Sequence, residues 1–150
     1  MFNLSKALLF VASQLVVLCW AQAQPSQENV IRVDISGLHS DKGEVRCALF
    51  SSAGDFPKKA DKAAARTKAG ISHGNALCEF LGITPGTYAI SVFHDENSNG
   101  KLDTNFIGIP REGVGASNNA LGHFGPPKFD AAAFRFAGGQ LNLKIKVNYL

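Results

Sequence analysis

Asp95, Asn97 and Asn99 stand two residues apart, Gly100 follows at once, and Asp103 comes three residues later. This is the leading part of the calcium-loop pattern D-x-[DN]-x-[DN]-G. Ca²⁺ takes six to eight oxygen ligands at about 2.3–2.6 Å, and alternate side chains converge on one ion when a glycine lets the backbone coil tightly. Asp95, Asn97 and Asn99 would supply side-chain oxygens, Lys101 its backbone carbonyl, and Asp103 a direct or water-bridged oxygen. The helix-flanked form of the loop does not follow. Phe106 falls where that form needs a bidentate Glu, and the residues ahead of Asp95 read as a strand. Glu96 or Glu112 would have to complete the shell, and a site with two assured carboxylates is expected to be weak. The same residues also suit an Asx-rich turn whose side chains bond their own backbone.

His94, Asp95, Glu96, Glu112 and His123 contain the residue types of an acid–base site, and a Zn²⁺ ion held by His94, His123 and Glu112 would be its metal-assisted variant. Against a metal-dependent hydrolase, His94 and Asp95 are neighbours at a strand end and so point to opposite sides. The chain holds no H-E-x-x-H pattern. A formal net charge of +3, with Lys58, Lys59, Lys62, Arg66 and Lys68 sharing their segment with Asp55 and Asp61, leaves no basic stripe for nucleic acid. A carrier of small ligands between sheets would need a cavity, whereas the inward residues of so small a sandwich are most simply used to fill its core.

The elements that position these residues begin after an export signal. Lys6 lies in a short polar start, Ala7 to Trp20 is an apolar run of about 14 residues, too short for the roughly 20 that span a bilayer, and Ala21-Gln22-Ala23 is a peptidase-type cleavage site. Residues 1–23 are therefore expected to be removed and the rest exported, to the periplasm or beyond, with no membrane span left. Residues 24–29 read as a flexible tail, and 30–150 as one all-β domain. Cys47 and Cys78 survive cleavage. In an oxidising compartment they are expected to pair, closing a loop of about 30 residues worth roughly 3–4 kcal/mol in the loop-entropy picture, and two buried thiols are the alternative.

Strict alternation marks strands at 30–35, 44–50, 75–81, 87–93 and 141–149. The first two suggest a hairpin. Residues 51–70, rich in Ala and Lys, read as a surface crossing that adds little to the core, with at most a short helix. Residues 129–136 suggest a further strand or strand plus turn. About seven strands in a β-sandwich account for the pattern. From Asp95 to Lys128 runs a long Gly/Pro/Asn-rich loop, expected to be ordered because Phe106, Ile107, Ile109, Leu121, Phe124 and Phe129 could plug it onto the sandwich. Phe124 and Phe129 beside Pro126 and Pro127 are alternatively a contact surface.

Taken together, Tyr88 to Asn97, Asn99 to Asp103, Gly108 to Gly113 and Phe124 to Phe129 resemble an uncharacterised bacterial exported family, the domain of unknown function 2141. The resemblance covers nearly all of the chain after the signal. It implies an exported, transthyretin-like β-sandwich, immunoglobulin-like in its layering, and no known activity, so no catalytic residue carries over. The reading that follows is a noncatalytic extracytoplasmic binding or structural module, its loop ordered by calcium and its partner a protein, glycan or small ligand.

Overall fold

A computed structural model describes residues 28–150, so the export signal expected at residues 1–23 lies outside the described residues. Eight strands form two sheets, with β1 Val30–Ser36, β2 Glu44–Phe50, β3 Ala65–Ala69, β4 Ala76–Leu81, β5 Gly86–Asp95, β6 Val114–Ala116, β7 Phe134–Phe136 and β8 Gln140–Lys146. One sheet has the order β4-β1-β8, with β1 parallel to β8. The other has the order β3-β2-β5-β6, and β7 adds to the first residues of β5. The fold is an all-β sandwich.

Alternation explains the inner faces. Ile31, Val33 and Ile35 of β1, Val45, Cys47 and Leu49 of β2, Cys78 and Phe80 of β4, and Tyr88, Ile90 and Val92 of β5 meet in one buried cluster between the sheets. Burial of this kind contributes about 25 cal/mol per Å² of apolar surface and dominates the stability of a small sandwich. Cys47 and Cys78 are joined by a disulfide that ties one sheet to the other.

Three expectations change. β1 and β2 do not form a hairpin: β1 pairs with β4 and β8, β2 pairs with β3 and β5, and residues 37–43 carry the chain from one sheet to the other. Two alternating runs joined by a turn look the same in either case, because the period reports a half-buried face and not its partner. The Ala/Lys-rich crossing contains a strand, β3, that covers the edge of β2, and its Phe56 is buried with Phe50, Ala89 and Ala132 in a second small core on the outer face of β2 and β5. A helical turn, α1 Phe129–Ala132, closes that second core.

The aromatic plug also gives way. Phe106, Ile107, Ile109, Leu121 and Phe124 are exposed, and of the six apolar candidates Phe129 alone packs down, edge-on to Phe56 at 5.9 Å between centroids. Polar side chains hold the end of the loop instead. Ser117 Oγ is buried, donates to the Ala132 carbonyl at 2.5 Å and accepts the Ile90 N–H at 2.9 Å. Asn118 donates to the Ala133 carbonyl, and Asn119 Oδ1 accepts the Lys146 N–H, both at 2.8 Å.

Candidate functional site

β5 delivers His94 to the inner face and Asp95 to the outer face, as adjacent strand residues must. Both are fully buried. The crossing 37–43 passes close behind them, where Gly43, at φ +69°, has no room for a side chain against the Asp95 carbonyl.

On the outer side, Asp95 organises the loop. Its Oδ1 accepts the Asn99 N–H at 3.0 Å, and its Oδ2 accepts the Gly100 N–H at 2.8 Å and Arg46 Nε at 2.7 Å. Arg46 also pairs with Glu44 at 2.7 Å, and Glu44 with Lys68 at 2.9 Å. Asn97 Oδ1 accepts the Asn99 N–H, and Asn99 Oδ1 accepts the Lys101 N–H. The two amide groups donate to the Asp103 carboxylate at 2.7–3.2 Å. Glu112, nearly buried, accepts the N–H of Glu96 on one oxygen and that of Asp103 on the other, each at 3.0 Å.

The residues expected to surround calcium are thus together, but their oxygens face N–H groups. The cation beside Asp95 is the Arg46 guanidinium, a planar donor well matched to a carboxylate. As folded, Arg46 occupies the place beside Asp95, and Asn97 and Asn99 bond the backbone as an Asx-rich turn does. Lys101 takes part through its backbone N–H rather than its carbonyl. Glu96 turns away from the loop toward His39, and Glu112 closes the loop base.

Beyond Asp103 the chain forms a short finger. Thr104 bridges Pro110, Arg111 N–H bonds the Asp103 carbonyl at 2.8 Å, and Asn105 Oδ1 accepts the N–H groups of Ile107 and Ile109 at 3.0 and 2.9 Å. Phe106 is 98% exposed at its tip, with Ile107 and Ile109 beside it. An open cleft at the foot of the finger is lined by Lys42, Arg111, Glu96, Asp103 and Glu112, charges of both signs. Phe124 is also fully exposed, Pro126 is exposed, and Pro127 is half-buried beside the packed Phe129.

On the inner side, His94 closes the end of the core. Its Nε2 lies 2.7 Å from the Lys42 carbonyl and its Nδ1 2.7 Å from Tyr149 Oη. His39 stacks on Tyr149 at 3.9 Å and places Nε2 2.8 Å from Glu96 Oε1. Burial raises the Tyr149 pKa above the ordinary phenol value, with the Glu96 charge adding to it, so the hydroxyl stays a donor. The alternative hydrolytic cluster and the alternative zinc set His94, His123 and Glu112 are not assembled. Asp95 and Glu112 are engaged by the loop, and His123 lies in the exposed stretch 121–126. Sequence reasoning missed His39, Arg46 and Tyr149, which no local spacing links to His94 or Asp95.

The model of a family described as an uncharacterized protein conserved in bacteria, DUF2141, matches residues 33–144. The chain belongs to this family. No curated protein and no solved structure matches it. The DUF2141 span runs from β1 into β8 and includes the whole Asp95 loop, the finger and both disulfide-bonded cysteines, while Tyr149 lies just beyond it.

Proposed function

We propose that this DUF2141 chain is an exported, noncatalytic binding module that docks through the finger 103–111 onto an apolar site of a partner protein. One observation carries the reading: buried carboxylates clamp the base of the finger while the tip leaves Phe106, Ile107 and Ile109 in water. Anchored loops that expose contiguous apolar side chains serve recognition more readily than stability. Arg111, at the foot of the finger, suits an apolar pocket with an acidic rim. Export is part of the reading. It rests on the amino-terminal pattern, and a disulfide together with the lack of a long apolar helix among the described residues is compatible with it.

Benzoylphenylalanine placed at Phe106 and photoactivated in cells is expected to give a discrete protein adduct, absent when the probe sits at the exposed Leu81 of β4. The F106S/I107S variant should keep the parent melting temperature, since exposed substitutions stay within about 0.5 kcal/mol. No adduct above the Leu81 control, or a variant that melts early, would sink the proposal.

Calcium ordering is a second reading of the loop, supported by the gathering of Asn97, Asn99 and Asp103 side chains within 2.7–3.2 Å. It requires Arg46 to leave Asp95. A loop held by its own side chains shows no thermal stabilisation with Ca²⁺ up to about 10 mM, above the extracellular range. A calcium-dependent rise that R46A enhances would favour the ion.

A further inference from the structure

We propose that His39, His94 and Glu96 form a binding site for a divalent transition-metal ion, Zn²⁺ in particular, at the end of the sandwich. Their ligand atoms lie within 4.8 Å of one another. Glu96 Oε1 stands between the two rings, 2.8 Å from His39 Nε2 and 3.9 Å from His94 Nδ1.

The protonation pattern of His94 carries the argument. A backbone carbonyl can only accept, so in the neutral imidazole the 2.7 Å contact with Lys42 O places the proton on Nε2 and leaves a lone pair on Nδ1. A histidine ligand whose far nitrogen donates to a backbone carbonyl is the usual outer-shell arrangement at metal centres. The lone pair faces Tyr149 Oη and the Glu96 carboxylate rather than the packed core. Without an ion, Tyr149 donates to Nδ1. A bound ion takes that lone pair, and Tyr149 keeps the His39 N–H that it already accepts at 3.2 Å.

Placement fits the same role. His94 is fixed at the end of β5, whereas His39 is half-exposed on the crossing and Glu96 opens the loop, so both can close on an ion entering from solvent. Two imidazoles and one carboxylate suit Zn²⁺, with Cu²⁺ and Ni²⁺ as competitors, and do not suit Ca²⁺ or Mg²⁺, which prefer all-oxygen shells. Three protein ligands leave a fourth position for water.

The test is calorimetric titration of the chelator-stripped full chain with ZnCl₂, alongside the visible spectrum of the Co²⁺ form. One equivalent is expected, with a tetrahedral Co²⁺ spectrum. H39A and E96Q should each weaken Zn²⁺ binding by more than about 100-fold, beyond the 10–100-fold typical of outer-shell partners. Because their side chains are part-exposed, both variants should fold in chelator, which His94 variants need not do. Y149F should bind at least as tightly as the parent, since it removes the competing donor. A merely structural polar cluster would take up no equivalent. Absence of one-to-one binding, or binding unchanged in both H39A and E96Q, would overturn the assignment.

Discussion

At the residue scale, the acidic loop is an instance of carboxylates doing the work of a frame. Glu112 is 5% exposed and satisfies two backbone N–H groups, those of Glu96 and Asp103, which stand on opposite sides of the loop. Glu112→Gln keeps the shape but turns one acceptor into a donor, so that one N–H loses its partner inside the protein. Such an orphaned group costs about 1–3 kcal/mol. The expected result is a loss of that size in urea unfolding, together with faster hydrogen exchange at the Glu96 and Asp103 amides and unchanged exchange in β1. Equal acceleration throughout the molecule would mean that Glu112 supports global stability rather than the loop. Asp95 is held differently, because its third partner is a charged side chain from another strand.

At the element scale, the crossing 37–43 replaces the hairpin that alternation suggested. It is docked by Asp41, whose two oxygens accept the N–H groups of His73 and Gly74 at 2.9 and 2.8 Å, just before β4. These bonds hold the Asp41 pKa below its ordinary 3.8. A carboxylate with a lowered folded pKa adds stability that is present above the unfolded value and is lost as pH falls through the folded one. Below pH 3.8, then, the parent loses a contribution that D41N never had. The variant should be less stable at neutral pH, and the gap should narrow on acidification. A constant gap across the acid range would show that the charge on Asp41 is immaterial. β1, β4 and β8 were legible in sequence because each buries one face and therefore alternates, and β2 and β5 because their inner faces alternate although their outer faces also bury Phe50 and Ala89. β3 was not, since its Ala65 and Ala69 are too small to mark a face and its place depends on pairing with β2. β6 and β7 are three residues each and exist through β5. The spacing of Asp95, Asn97 and Asn99 located the loop, yet the cation beside it came from β2 and the partners of His94 from positions 39 and 149. Such encounters are made by topology and leave no local signal.

At the scale of the whole molecule, the two sheets are joined both by packing and by one covalent link. Cys47 lies on β2 between Thr67 and Val92, and Cys78 lies on β4 opposite Val33. The bond therefore crosses the core from sheet to sheet over a separation of 31 residues. Loop closure of that length lowers the entropy of the unfolded chain by an amount worth about 3–4 kcal/mol at 25 °C. For a domain of this size that corresponds to roughly 10–15 °C in melting temperature. The cleanest comparison is the oxidised parent against the same chain reduced under denaturant and refolded, since the side chains are then unchanged in volume. C47A/C78A would add the loss of two buried sulfurs and should fall further. Because the link constrains the unfolded state, reduction is expected to increase the urea dependence of the unfolding free energy while the native far-ultraviolet spectrum stays the same. A reduced form within about 1 kcal/mol of the oxidised one would mean that the packed inner faces alone hold the sheets together.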